Sequence, residues 1–290
     1  MKYYKFEDFK IASGENVSLK LSYQVFGLNV NEGPVVIVNH SLTGDSNISG
    51  NSGWWNELVG PNKMINTNNY CVISINIPGN IQDKGSFNFE NNWILNDVAR
   101  LFIDLLKNLE IKKIHSIIGG SIGGGLVWEM GLIAPDYVKN LIPIAADYKV
   151  SDWLISNTYL QNLILKNSKN PVFDARVNAM ISYRNAKSLN KRFKLEFDDS
   201  KKRKVIEWLD YHGKKLSKNI SVQSYIHMNN LLSSIGKTKK RREDFKKLIE
   251  KTKCSIHLVG IDSDLLFPDF EIRKTYDLFS GFKKDIFYHQ

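Results

Sequence analysis

The fold of this chain is decided by one glycine-rich stretch, Ile117-Ile118-Gly119-Gly120-Ser121-Ile122-Gly123-Gly124-Gly125. It contains the pattern G-x-S-x-G and lies between an apolar run that predicts a strand and a run that predicts a helix. At such a sharp turn, side chains two residues either side of the serine would clash with neighbouring backbone. A phosphate or dinucleotide loop is the alternative, but it would need a Lys-Ser/Thr ending or a position after the first strand. We interpret Ser121 as a nucleophile on this turn.

Strand-like and helical patterns alternate along most of the chain. Strands are predicted at 17–26, 35–38, 70–76, 114–118, 141–145, 255–260 and from about 285, and helices at 97–109, 122–132, 239–251 and 268–279. Between about 148 and 235 the pattern is almost wholly helical. The sequence therefore predicts an α/β fold with a mostly parallel sheet. Residues 1–147 and 236–290 form its core, and 148–235 form a helical lid over the carboxyl edge of the sheet.

Composition excludes several classes of protein. The chain has 290 residues, of which 42% are hydrophobic and 11% aromatic, too many for a disordered protein. No apolar run approaches the roughly 18 residues of a membrane span, and no secretory signal is visible at Met1. Only Cys71 and Cys254 are present, without a metal-type spacing, so reduced thiols and a cytoplasmic location are expected, with no metal.

The net charge is +10, and much of the excess lies in two runs, Lys201-Lys202-Arg203-Lys204 and Lys237-Thr238-Lys239-Lys240-Arg241-Arg242. Such runs could bind nucleic acid or a phosphorylated cosubstrate. No nucleic-acid motif accompanies them. We interpret both runs as solvated helix starts and loops, and we expect neither nucleic acid nor a membrane as a partner.

A serine nucleophile on this turn needs an acid, a base and an oxyanion hole. In this type of site the acid follows a late strand, where Asp262 and Asp264 are both candidates that spacing does not separate. One oxyanion N–H comes from the residue after the nucleophile, Ile122, and the other from the loop after an early strand, where Leu42 is the natural donor. His40 precedes the serine, an order that this type of site does not use, and is interpreted as a structural histidine.

Several segments resemble the homoserine O-acetyltransferases, a family of α/β-hydrolase-fold acyltransferases, in order from the N-terminal strands to about residue 285. The matching segments are 39–45 (NHSLTGD), 53–61 (GWWNELVGP), 119–124 (GGSIGG), 175–176 (AR), 181–184 (ISYR), 208–213 (WLDYHG), 224–225 (SY) and 262–268 (DSDLLFP). The first two are far more specific than the serine turn. The resemblance implies an α/β-hydrolase fold with an inserted lid.

The resemblance also implies roles for individual residues. Ser121 is the nucleophile, Asp264 rather than Asp262 is the acid, Leu42 and Ile122 match the oxyanion positions, and Arg176 and Tyr183 match positions that hold the amino-acid substrate. The family's base is a histidine in a Gly-His-Asp segment beyond the last strand, which this chain would reach only past Gln290. His289, at the predicted strand end, is interpreted as a strand residue rather than the base.

By resemblance the protein is a homodimer, packed through its lid helices, that moves an acetyl group from acetyl-CoA to the hydroxyl of L-homoserine, in methionine biosynthesis. Acetyl-CoA is a cosubstrate, and no bound cofactor is expected. Two alternatives stay open: an esterase of the same fold, whose acceptor is water, and a triad-deficient protein that binds a ligand or partner without turnover.

Overall fold

The structure, a computed structural model, describes residues 1–82, 87–237 and 239–290, without the side chains at positions 239, 241, 248 and 251. Part of the basic run 237–242 therefore lies outside the described residues. The strands are β1 (Lys2–Lys10), β2 (Asn16–Gly27), β3 (Val35–Asn39), β4 (Val59–Gly60), β5 (Ile65–Asn66), β6 (Cys71–Ile75), β7 (Ile114–Gly120), β8 (Val138–Ile144), β9 (Ser255–Val259) and β10 (Ile286–His289). The helices are α1 (Leu95–Asn108), α2 (Ile122–Ile133), α3 (Asp152–Asn167), α4 (Pro171–Ser182), α5 (Ala186–Phe193), α6 (Lys204–Ser217), α7 (Val222–Leu232), α8 (Lys239–Lys251) and α9 (Asp269–Ser280).

Eight strands form one sheet in the order β1-β2-β6-β3-β7-β8-β9-β10. The strands β1 and β2 are antiparallel to their neighbours, and the other six strands are parallel to one another. The strands β3 and β6 are buried along their whole length, as their continuous apolar sequences predict. The predicted α/β fold with a mostly parallel sheet is confirmed. The strand β1, which pairs with β2, was not predicted.

The helix α2 is the central helix of the core. Its Trp128 is almost fully buried, and its ring centroid lies 6.1 Å from those of Tyr148 and Phe245 and 6.2 Å from that of Phe279. These partners come from the segment after β8 and from α8 and α9. One aromatic cluster thus joins elements on both sides of the helical insertion in the sequence.

Five helices, α3 to α7, lie between β8 and α8 in the sequence. They pack on one another, with α4 against α6 and α3 against both α4 and α7. The lid boundaries at residues 148 and 235 stay a prediction. The run 201–204 leads into α6, and its Lys202 and Lys204 form ion pairs with Asp210 and Glu196. No helix within the described ranges is long and apolar enough to cross a bilayer.

Candidate active site

Ser121 occupies a strained turn between β7 and α2. Its backbone φ is 58° and ψ is −125°, in a region that residues other than glycine rarely adopt. The Ser121 N–H donates to the Ile144 carbonyl of the neighbouring strand at 3.0 Å, and its own carbonyl accepts from Gly125 N–H at 3.0 Å. These two hydrogen bonds tie the turn to the sheet on one side and to the helix on the other. The serine is therefore held in a fixed position at the carboxyl edge of the sheet.

The two glycines of the G-x-S-x-G pattern are required by close backbone approach. A Cβ atom on Gly119 would lie 2.5 Å from the Gly123 carbonyl oxygen. One on Gly123 would lie 2.6 Å from the carbonyl oxygen of Asn39 and 2.8 Å from that of His40. The glycines thus allow β3 and its following loop to reach the serine, as the sequence pattern predicts.

A cavity of about 560 Å³ opens beside Ser121. Five of the six predicted site residues line it together: Leu42, Ser121, Arg176, Tyr183 and Asp264. The sixth, Ile122, is fully buried at the first position of α2. Because it begins the helix, its N–H has no acceptor one turn earlier in α2. The chain therefore gathers residues from β3, β7, the insertion and the loop after β9 around one serine.

The two candidate aspartates have different surroundings. Asp264 is half-buried and lines the cavity, and its Oδ1 accepts from the N–H groups of Leu266 at 2.7 Å and Phe267 at 2.9 Å. Burial raises the pKa of Asp264, and these two hydrogen bonds offset part of the rise. Asp262 is exposed and does not line the cavity. Asp264, and not Asp262, therefore lines the same cavity as Ser121, and its role as the acid stays a prediction.

Arg176 and Tyr183 form the wall that the inserted helices contribute. The Arg176 guanidinium carbon lies 5.6 Å from the centroid of the Tyr183 ring, and Arg176 Nε is buried without a hydrogen-bond partner. Tyr183 is 37% exposed, yet desolvation raises the pKa of its hydroxyl, as does Asp264, while Arg176 lowers it. Within the described residues no carboxylate forms an ion pair with Arg176. Its positive charge is thus available to an anionic ligand.

Comparison with known proteins fits this geometry. The family model for the alpha/beta hydrolase fold matches residues 34–286. The chain belongs to the α/β-hydrolase fold family. A homoserine O-acetyltransferase from Symbiobacterium thermophilum is 27% identical over an alignment that covers 92% of this chain and 81% of that protein. The prediction of an enzyme related to the homoserine O-acetyltransferases is confirmed by relatives of this kind.

Two solved structures show the same fold. The homoserine O-acetyltransferase from Staphylococcus aureus has a TM-score of 0.81 at 23% identity and covers 100% of this chain and 86% of its own. Esterase E22 has a TM-score of 0.84 at 15% identity and covers 99% of this chain and 91% of its own. The architecture is thus common to α/β-hydrolase-fold proteins with different names.

None of the six histidines, all of which lie within the described residues, lines the cavity beside Ser121. His289 is exposed in β10, and its Nε2 lies 3.2 Å from Nδ1 of His257 on the adjacent strand. Its backbone carbonyl accepts from Gly260 N–H at 2.8 Å. This placement agrees with the interpretation of His289 as a strand residue.

His40 is fully buried next to the turn. Its Nδ1 lies 2.8 Å from the Ser41 carbonyl oxygen, to which it donates, and its Nε2 accepts from Ile77 N–H at 3.0 Å. Burial lowers the pKa of His40 to about 4, so the ring is neutral near pH 7. With both ring nitrogens occupied by backbone groups, His40 holds the loop after β3 and is not free to take a proton from Ser121.

A second cavity, of about 420 Å³, adjoins the first and shares Ser41, Thr43 and Arg176 with it. Its other lining residues include Asp45, Trp54, His212 and Lys215. Sequence reasoning assigned no role to these residues. The segments that contain Asp45, Trp54 and His212 belong to the family resemblance, and that was the available signal.

Proposed function

We propose that this protein is an acyltransferase that moves an acetyl group from acetyl-CoA to the hydroxyl of L-homoserine through an acyl-enzyme on Ser121. One observation carries the proposal: a serine on a strained turn faces a cavity that also contains an arginine without a carboxylate partner. The serine supplies a nucleophile, and the arginine fits the carboxylate of an amino-acid acceptor. The curated relatives named homoserine O-acetyltransferase support the same assignment.

In the first half-reaction, Ser121 Oγ attacks the thioester carbonyl and loses its proton to a base. The backbone N–H groups of Leu42 and Ile122 stabilise the oxyanion, the C–S bond breaks, and the thiol leaves with the proton. In the second half-reaction the homoserine hydroxyl attacks the acetyl-serine carbonyl and gives its proton to the base. The ester C–O bond to Ser121 Oγ breaks, Ser121 Oγ takes the proton from the base, and O-acetylhomoserine leaves. Arg176 and Tyr183 hold the acceptor amino acid during this step.

The cycle needs a base, and no histidine lines the cavity beside Ser121. Without a base, a serine hydroxyl reacts more slowly than it does with one, by a factor of about a thousand or more. Residues 1–290 are therefore expected to acylate slowly. A Gly-His-Asp segment joined after Gln290 would begin beside Gly260, because the His289 carbonyl already accepts from Gly260 N–H at 2.8 Å. Asp264 lies only four residues beyond that point in the sequence.

The lining of the cavity beside Ser121 includes no histidine, and this observation favours a second candidate, a protein that binds its ligand without turnover. Mass spectrometry of the protein after incubation with acetyl-CoA separates the candidates. Acetylation of Ser121 that is absent in Ser121→Ala and discharged by homoserine is the expected result. Discharge by water at the same rate without homoserine indicates an esterase, and no acetylation, even with the joined Gly-His-Asp segment, indicates a binding protein.

We further propose that the enzyme is a cytoplasmic homodimer that packs through the inserted helices. The two cysteines, Cys71 and Cys254, are buried and unpaired, which is compatible with a reducing compartment. The helix α3 exposes large apolar side chains, which is the feature that supports a protein contact there.

A further inference from the structure

The positive charge of this protein is concentrated in the inserted helices. Residues 148–235 contain sixteen Lys and Arg against seven Asp and Glu, an excess of nine within a net charge of +10. Some of these cations have partners, since Lys202 and Lys204 form ion pairs with Asp210 and Glu196. Arg184 and Lys215, which line the two cavities, form no ion pair with any described residue.

Three side chains pack against the Trp208 indole, and together with it they form what we call the Trp208 cluster: Arg184, Arg192, Trp208 and His212. The guanidinium carbons of Arg184 and Arg192 lie 5.9 Å and 5.5 Å from the centroid of the Trp208 ring. The His212 ring packs edge-on against Trp208, with the two centroids 4.7 Å apart. Two cations on one aromatic ring make a surface that suits both a planar base and an anion.

Two members of the Trp208 cluster each line one of the cavities, whereas Trp208 and Arg192 line neither. Arg184 lines the cavity beside Ser121, and His212 lines the second cavity together with Lys215. Arg176 lines both. A ligand bound at Arg184 therefore enters the cavity that Ser121 also lines.

Three cations of this region have no ion-pair partner in the part of the chain that the structure describes. Neither Arg184, Arg192 nor Lys215 forms an ion pair there. The pKa of His212 is lowered by burial and then by Arg176, Arg184, Lys215 and Arg192, with no acidic group opposing them. Repulsion among these cations costs free energy that a bound polyanion would recover.

Asp45 is the carboxylate in the second cavity. Its Oδ1 accepts from Asn47 N–H at 2.8 Å and its Oδ2 from Gln82 Nε2 at 2.7 Å, so it is satisfied by neutral donors from the core. It would repel a phosphate deep in that cavity. The phosphates of a ligand therefore belong at the arginines of the inserted helices and not next to Asp45.

We propose that the Trp208 cluster binds the phosphorylated adenosine end of the acyl donor, with the adenine on Trp208 and the phosphates on Arg184 and Arg192. This inference rests on the proposed function, because acetyl-CoA carries its acetyl group at the far end of a chain from that nucleotide. It adds a site for the donor that is separate from the acceptor position at Arg176.

The direct test is binding of adenosine 3′,5′-bisphosphate, the nucleotide end of CoA without its thioester, measured by titration calorimetry. The variant Arg192→Gln is expected to weaken binding about tenfold, since it removes one charge-assisted contact. Arg203→Gln is the matched control, because its guanidinium also packs on an aromatic ring, 4.0 Å from the Phe197 centroid, but that ring lies outside the Trp208 cluster. Equal binding by both variants and the unmodified protein would overturn the proposal.

A kinetic comparison separates this site from the proposed function. The rate of Ser121 acetylation is measured with acetyl-CoA and with acetyl-pantetheine, which lacks the nucleotide. In Arg192→Gln the preference for acetyl-CoA, as a ratio of kcat/KM values, is expected to fall about tenfold, whereas a folding defect would lower both rates together. Nucleotide binding without any acetylation would support the nucleotide site and refute the proposed acyltransferase function. Acetylation with no preference for acetyl-CoA would support the acyltransferase function and refute the nucleotide site.

Discussion

At the scale of single residues, the turn at Ser121 depends on missing Cβ atoms. Replacing Gly123 by Ala places a methyl group 2.6 Å from the Asn39 carbonyl oxygen, a backbone atom that cannot move aside freely. We expect Gly123→Ala to lower the free energy of unfolding by about 1–3 kcal/mol, as overpacking does, and to abolish Ser121 acetylation. Gly120→Ala is the matched control, because its nearest contact would be the Ile144 oxygen at 3.8 Å. Urea unfolding of both variants is the measurement, and equal losses would contradict the account.

A second prediction at this scale concerns pH. Burial lowers the pKa of both His40 and His227 to about 4, whereas the same residues in the unfolded chain take up protons below their ordinary pKa of 6.5. The unfolded state therefore binds more protons between these two values, and stability falls as the pH drops through that window, by on the order of 3 kcal/mol for each residue. Asp147 opposes this, because burial raises its pKa to about 6 and its protonation favours the folded state.

We expect His40→Gln to flatten the decline of stability with falling pH, since glutamine can donate to Ser41 and accept from Ile77 without titrating. The control is Asn108→Gln, an exposed substitution that adds and removes no titrating group and should leave the slope unchanged. Urea unfolding at a series of values between about pH 7 and pH 4.5 gives the slopes. Identical slopes for the two variants would show that buried His40 does not supply the effect.

The sequence predicts the role of a residue where that role depends on local contacts. The glycines around Ser121 and the loop with Leu42 are fixed by contacts within a few residues of two strand ends, and they were predicted. Spacing did not decide between Asp262 and Asp264. The difference between them arises from tertiary contacts, because the N–H groups of Leu266 and Phe267 donate to Asp264. The Trp208 cluster was missed, since it joins α5 to α6 through tertiary packing.

At the scale of elements, the loop after β9 carries the candidate acid. With a Gly-His-Asp segment joined after Gln290, Asp264→Asn should lower the rate of Ser121 acetylation by about ten-thousandfold, as loss of the orienting carboxylate does in a serine triad. Asp262→Asn, two residues earlier and exposed, is the control and should leave the rate within about twofold of the unsubstituted extended chain. If Asp262→Asn has the larger effect, the assignment of the acid is wrong.

The bounds of helices and strands show which features of the fold local sequence patterns predict. The helix α8 begins and ends at the predicted residues, and α9 differs from its prediction by one residue at each end. The strand β1 was missed because Lys2-Tyr3-Tyr4-Lys5-Phe6 does not alternate strictly between polar and apolar residues. It is stabilised by its antiparallel register with β2, in which Tyr4 lies opposite Leu21, and no local pattern encodes that partner.

At the scale of the whole molecule, the insertion gives the protein two surfaces with different uses. Its inner wall, with Arg176 and Tyr183, completes the cavity around a serine that belongs to the core. Its outer face on α3 exposes large apolar residues: Trp153, Ile155, Tyr159, Leu160 and Leu163.

The apolar face of α3 leads to the last prediction. A monomer gains nothing from exposing five large apolar side chains on one helix, whereas burying them against a second copy removes them from water at about 25 cal/mol per Å². We expect the protein to sediment as a dimer at micromolar concentration and Tyr159→Glu to shift it to a monomer, because a buried unpaired carboxylate opposes association. Met64→Glu is the control, since Met64 is 82% exposed and lies on the core outside this face. The prediction is wrong if the unsubstituted protein is a monomer, or if Tyr159→Glu leaves the dimer intact.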